Sequence, residues 1–249
     1  MTATVTVLFD NHVSEKAQGF ESAWGFSCAV CGFEEKILFD TGSDSGILLA
    51  NMQAAGIPVS DFGAVVISHS HYDHAGGLVG VTRLAKNGVR IYLPPTSFPP
   101  ETTEVLRRFG AQIIHPEIGA EVCSGIYVLH TRSGGSSEQS LFLRSGEISA
   151  LLTGCAHPGI AEIVQNVSST FKQVPQWVIG GLHLRGDEHQ KFDLLAKKLK
   201  DAGVRFIAPA HCTSRAAIEA FHRIFGDNCV EAYVGKQIKV QQICLRRLS

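Results

Sequence analysis

The feature that most restricts this 249-residue chain is the apolar run Ala64-Val65-Val66-Ile67, followed at once by Ser68-His69-Ser70-His71-Tyr72-Asp73-His74-Ala75-Gly76-Gly77-Leu78. A short β-branched run of this kind reads as a buried strand. Three histidines and a carboxylate then fall within six residues, in the loop at the strand's C-terminal end and ahead of a glycine-rich entry to a helix. Imidazole and carboxylate together form the ligand set of zinc, iron or manganese. In an extended segment His69 and His71 point to the same side and can hold one metal. Asp73 and His74, after the chain turns, can face a second.

Composition narrows the setting. A chain with 45% apolar and 18% charged residues suits a globular protein with a sizeable core, and residues 1–249 are read as one α/β domain. The formal net charge of −1 gives no field for polyanions, so no nucleic-acid partner is expected. The N-terminus alternates Thr and Val without a basic region, which makes it a strand and not a signal peptide. No apolar run approaches the roughly 18 residues of a membrane helix. Seven scattered cysteines argue against a disulfide framework and for a reduced, cytoplasmic protein. Cys28-Ala29-Val30-Cys31 matches C-x-x-C, but on a strand residues three apart face opposite sides of the sheet, so the pair is read as structural.

Read in order, strands are expected at 3–9, 25–31 and 36–39, then a helix at 46–55, the strand at 64–67 and a helix at about 77–86. Strands at 89–93 and 111–115 flank a helix at 101–109. Strands follow at 121–123, 127–131, 141–144 and 148–153, with a Ser/Gly-rich loop at 133–137 that overhangs the site. The last third alternates: a helix at 160–171 with one apolar face, a strand from 177, a helix capped by Asp187 and running to Ala202, a strand at 204–208, a helix at 213–225, and strands at 229–234 and 239–244. Two face-to-face sheets with helices on both outer faces accommodate this order.

Asp40, the 69–74 cluster, His157, His183 and His211 each follow a short apolar run. Loops at strand ends, held by a rigid scaffold, are where sites are built. Asp40 either caps a turn or accepts hydrogen bonds from liganding imidazoles. His12, His115, His130, His189 and His222 lack the context and are read as surface or packing residues.

The phrases Phe39-Asp40-Thr41-Gly42, His69-Ser70-His71-Tyr72-Asp73-His74, Gly154-Cys155-Ala156-His157 and Ala210-His211-Cys212 resemble the metallo-β-lactamase-fold superfamily over essentially the whole chain. Within it, Trp24-Gly25-Phe26-Ser27, Thr153-Gly154-Cys155-Ala156-His157 and Gly180-Gly181-Leu182-His183-Leu184 are similar to the branch of dihydropterin–ribofuranosylaminobenzene-phosphate synthase-like proteins. The resemblance implies a four-layer αβ/βα sandwich of two mixed sheets flanked by helices, with a dinuclear site along one edge. It implies that His69, His71 and His157 hold a first metal, that Asp73, His74 and His211 hold a second, and that Asp40 orients the ligands. Two divalent ions are expected, zinc ahead of iron or manganese.

Two departures stand out. The superfamily's Gly-His-Thr histidine is missing from 131–136, and His157 takes its place; where many members carry a bridging aspartate after Thr-Gly, this chain has Cys155. Cys155 is then either a packing thiol or a further ligand. Paired divalent metals activate water as a nucleophile near neutral pH, so the expected function is hydrolysis of a small anionic ester or phosphoester. The catalytic candidates are Asp73 and His183, the latter donating a hydrogen bond to the substrate unless it merely stabilises a turn. Tyr72 and Asn11 are candidates for lining the pocket. The alternative is a metal-assisted condensation of a dihydropterin pyrophosphate with a ribofuranosylaminobenzene phosphate. A non-catalytic metal-binding protein comes third, since the ligand set leaves positions for water and substrate.

Overall fold

The computed structural model describes residues 3–95, 98–133, 136–146 and 148–240. The site depends on how its strands are arranged. Strands β1 (Ala3–Phe9), β2 (Ser27–Cys31), β3 (Lys36–Phe39), β4 (Phe62–Val66), β5 (Arg90–Tyr92), β6 (Gln112–Ile114) and β13 (Gln237–Val240) form one sheet in the order β13-β1-β2-β3-β4-β5-β6. Strands β7 (Ala120–Cys123), β8 (Ile126–Ser133), β9 (Ser136–Ser145), β10 (Ile148–Thr153), β11 (Trp177–Gly181) and β12 (Phe206–Ala210) form the other, in the order β12-β11-β10-β9-β8-β7. Each sheet is mixed: β3 to β6 run parallel, as do β10 to β12, and the remaining pairs are antiparallel.

Side-chain alternation builds the layers. Phe39, Ala64 and Val66 of the first sheet meet Leu141, Leu152, Ile179 and Ala208 of the second in a core between the sheets. The alternate residues Leu38 and Val65 point outward, under helices α1 (Ser45–Ala54), α3 (Leu78–Leu84) and α4 (Pro100–Arg108). Leu151, Val178 and Ile207 do the same beneath α5 (Ile160–Phe171), α6 (His189–Asp201) and α7 (Arg215–Phe225). Strands buried on both faces carry the near-continuous apolar runs seen in the sequence. The result is the expected four-layer αβ/βα sandwich. Cys28 belongs to the inter-sheet core and Cys31 packs on the outer face, as opposite sides of one strand require.

Several expectations need correction. The ligand stretch is not all loop: α2 (Tyr72–Ala75) forms one helical turn before α3. Asp187 does not cap α6, whose N-cap is Glu188 without a side-chain cap bond. The 133–137 loop is mostly strand, since β8 and β9 form a hairpin paired up to Ser133 and Ser136; residues 134–135 lie outside the described residues. No strand forms at 229–234. That stretch makes single bridges, Cys229 to Ile207 and Val234 to Val13, because it crosses from the edge of one sheet to the edge of the other and follows neither. The strand expected at 239–244 is β13, described to Val240. No helix among the described residues is long and apolar enough to cross a membrane.

Candidate metal centre

The parallel strands β3, β4, β10, β11 and β12 end along one edge of the sandwich and deliver Asp40, His69–His74, His157, His183 and His211 there. Two of the donor groups that result coincide with the expected ligand sets. His69, His71 and His157 each offer a ring nitrogen, and these lie within 4.8 Å of one another. Asp73, His74 and His211 form a second group on the same criterion. In the first, His69 Nε2 faces His71 Nδ1 at 3.0 Å. In the second, Asp73 Oδ2 lies 3.2 Å from His211 Nε2 and 3.9 Å from His74 Nε2. The groups abut, with the rings of His69 and His74 only 4.3 Å apart.

What lies behind the rings fixes which nitrogen each presents. His69 Nδ1 donates to Ser68 Oγ at 2.9 Å, and Ser68 Oγ in turn donates to Asp40 Oδ2 at 2.7 Å. His74 Nδ1 donates to the same Asp40 oxygen at 2.7 Å. His157 Nδ1 donates to Glu138 Oε2 at 2.8 Å, and His211 Nδ1 to Asn11 Oδ1 at 3.1 Å. Four imidazoles thus carry their proton on Nδ1 and aim an Nε2 lone pair into the cluster, the usual support for a metal-ligating histidine. Burial pushes His69 and His74 down to about 3, so both are neutral at neutral pH. His211 Nε2 is buried and has no hydrogen-bond partner among the described residues, since the Asp73 oxygen 3.2 Å away is, like this lone pair, an acceptor. Buried polar atoms are normally satisfied, and a divalent cation would satisfy this one. The donor set fits such a group.

Carboxylates anchor the scaffold. Glu138, on β9 and 1% exposed, accepts from the backbone N–H groups of Cys155, Ala156 and His157 at 2.8–2.9 Å as well as from the His157 ring. Burial works against its charge, but the His157 bond, nearby His69 and the backbone donors outweigh burial and hold it at about 2. Asp40 is fully buried, and burial lifts it to about 7 despite His69 and the two Ser68 hydrogen bonds. Asp10 receives the amides of His12 and His211. Trp24 Nε1 donates to Asp73 Oδ2 at 2.9 Å, and despite its burial Asp73 is held well below the usual carboxylate range by the neighbouring His211 and His74 rings.

The backbone is bent to bring these groups together. Asp40, Ala156, His183 and His211 have φ of 57°, 59°, 50° and 49°. Non-glycine residues in this region cost about 1–3 kcal/mol each and cluster at functional sites. A Cβ on Gly154 would stand 2.1 Å from Ser68 Oγ and 2.9 Å from Asp40 Oδ2. Only glycine lets the end of β10 approach the first sheet this closely.

The His183 ring lies tilted against that of His157 with centroids 4.4 Å apart, and the His183 amide donates to Cys212 Sγ at 3.2 Å. Its Nδ1 is buried without a hydrogen-bond partner among the described residues. Asn11 does more than line a pocket, since its Nδ2 also donates to the His211 carbonyl. Tyr72 is 66% exposed. A hollow of about 570 Å³ opens beside His211 and is lined by Asn11, His12, Trp24, Arg185 and Arg215 among others. His12, read as a surface or packing residue, is exposed and lines this hollow without joining the donor groups. His115, His189 and His222 are exposed and take no part in the cluster.

Glu138 and Asp10 were not singled out from the sequence, and Ser68 and Trp24 stood there only within motifs, with no role of their own. For Asp10 a signal existed: Leu8-Phe9-Asp10 repeats Leu38-Phe39-Asp40 at the end of another strand.

Comparison with known proteins bears on the fold and the family. The chain is 25% identical to the 7,8-dihydropterin-6-methyl-4-(beta-D-ribofuranosyl)-aminobenzene-5'-phosphate synthase of Methanocaldococcus jannaschii, over 84% of this chain and 85% of that protein. The crystal structure of Tm1679, described as a metal-dependent hydrolase of the beta-lactamase superfamily, superposes with a TM-score of 0.77 at 28% identity, covering 96% of this chain and 100% of the other. The metallo-beta-lactamase fold protein YhfI from Bacillus subtilis shares the fold at 13% identity, with a TM-score of 0.73 over 96% of this chain and 100% of the other. A family model described as the metallo-beta-lactamase superfamily matches residues 29–211. The chain is an enzyme of the metallo-beta-lactamase superfamily.

Proposed function

We propose that this protein is a metal-dependent hydrolase of a small anionic ester or phosphoester, with His69, His71 and His157 holding one divalent cation and Asp73, His74 and His211 a second, zinc ahead of iron or manganese. The observation that carries this reading is the pair of abutting donor groups in which four imidazoles present Nε2 and tie back Nδ1. Bound divalent cations supply Lewis-acid polarisation of the substrate oxygen and an activated water.

The chain's own residues would do the rest. Asp73 stays ionised and is steered by Trp24 and His211. Asp40 and Glu138 hold the imidazoles they bond. His183 has its Nδ1 buried, so a hydrogen bond to the substrate or leaving group falls to Nε2. The hollow beside His211 offers Arg185 and Arg215 to an anionic group, and the partly exposed Trp24 ring to an apolar or aromatic one. Arginine suits carboxylate and phosphate because its planar fork donates two hydrogen bonds at once. The whole chain would act as a single domain on a small molecule, without a nucleic-acid partner, in the cytoplasm.

A second reading rests on one observation, the similarity to the M. jannaschii synthase over most of both chains. In that reading the same centre assists departure of pyrophosphate during a condensation. The deciding experiment uses protein of measured metal content, assayed in parallel on a generic phosphodiester, a β-lactam and the dihydropterin pyrophosphate–aminobenzene pair. Hydrolysis lost in the His69→Ala/His71→Ala double variant supports the first reading. Turnover of the pterin pair alone supports the second. Protein purified without chelator and found free of metal would overturn both.

A further inference from the structure

Cys155 sits where the two donor groups meet. His69 belongs to one group and His74 to the other, and the donor atoms of His69, His74 and Cys155 all lie within 4.8 Å of one another. Cys155 Sγ is 3.2 Å from His74 Nε2, the nitrogen that His74 has free once Nδ1 bonds Asp40.

A packing thiol would be surrounded by apolar side chains. Cys155 is only 3% exposed, yet it belongs to none of the hydrophobic clusters, although its neighbour Ala156 does. Its own surroundings are His74, the Glu138 carboxylate that receives its amide, and Cys212, whose Sγ reaches its carbonyl at 3.8 Å. The segment is also fixed in place. Three successive amides bond Glu138, and Ala156 takes a left-handed backbone that an alanine adopts only under constraint.

Charge supplies a second argument. Two divalent cations held by five neutral imidazoles and the single carboxylate Asp73 would face each other with most of their charge uncompensated, at a separation where repulsion in a low-dielectric setting is large. An anionic ligand between them relieves this. Thiolate is such a ligand, and with imidazole it suits zinc or iron.

We propose that Cys155 supplies a thiolate ligand shared between the two metal positions. This rests on the reading that both positions bind divalent cations. Loading a cation there ionises the thiol outright, and the proton leaves to solvent.

The test is to reconstitute metal-free protein with cobalt(II), following bound cobalt by metal analysis and thiolate ligation by the near-ultraviolet sulfur-to-cobalt charge-transfer absorption. The wild-type protein is expected to bind cobalt and show the band. Cys155→Ser is expected to lose the band and to bind its second equivalent at least roughly 10–100-fold more weakly, the penalty for disturbing even an outer partner of a metal ligand. Cys155→Asp, which restores an anion at the same place, is expected to recover much of that affinity without the band. Cys212→Ala is expected to keep it. Cobalt uptake by the wild type with no band overturns the proposal and leaves the metal-site reading standing. No uptake at all overturns both. Loss of the band in Cys212→Ala also overturns it, because the metal would then occupy a separate position made by Cys155, His183 and Cys212.

Discussion

Glu138 shows how much of the centre depends on a residue that binds nothing directly. Its carboxylate gathers three consecutive amides and the His157 ring, which positions both His157 and Cys155. Glu138→Gln keeps the size but turns one oxygen into a donor aimed at N–H groups. The fold is expected to survive, while affinity for the cation held by His157 falls about 10–100-fold. Metal titration against a competing chelator measures this, and unchanged affinity would show that Glu138 is only structural. The sequence made the ligand candidates legible because H-x-H-x-D-H after an apolar run has few other uses. It hid Glu138, since a lone acid ahead of Leu141-Phe142-Leu143 looks like a strand's solvated end. The structure extends β9 back to Ser136 and buries that acid.

At the level of elements, the short helix α2 and helix α3 bring Asp73 and His74 to bear only because the chain between them can touch the loop after β3. A Cβ on Gly77 would stand 2.3 Å from the Thr41 carbonyl oxygen. Thr41 in turn bonds the His74 carbonyl through both its amide and its hydroxyl. Gly77→Ala is expected to push α3 off this loop and destabilise by about 1–3 kcal/mol, the usual cost of overpacking. Each kcal/mol corresponds to a fall of about 2–4 °C in the melting temperature for a chain of this size. A melting temperature within error of wild type would contradict the close approach. Strands such as β3, β4 and β12 were legible because apolar residues bury on both faces. The stretch 229–234 was misread because its composition suits a strand while its path between two sheet edges leaves no partner to follow. The short helix α2 was hidden by the polar, turn-like character of the very residues that carry the chemistry.

At the scale of the whole molecule, the donors come from both sheets: His69 to His74 follow β4 of the first, and His157 and His211 follow β10 and β12 of the second. A bound cation would therefore cross-link the two halves at this edge. It is not the only link. Gln139 of β9 donates its amide to the Ser68 carbonyl at 2.8 Å, and its Nε2 to the carbonyls of Ile67 and Tyr92 at 2.6 and 2.9 Å. The inter-sheet core adds many fully buried apolar side chains, each worth about 1.5–3 kcal/mol. A cation at a free concentration of about 1,000 times its Kd adds only about 4 kcal/mol. The balance predicts that chelation leaves the protein folded, with a lower melting temperature, and speeds amide exchange at the ends of β4, β10 and β12 together. Exchange that quickens at one sheet only would mean that the cation is held by that half alone. Unfolding on chelation would mean that the packing between the sheets is far weaker than its buried side chains imply.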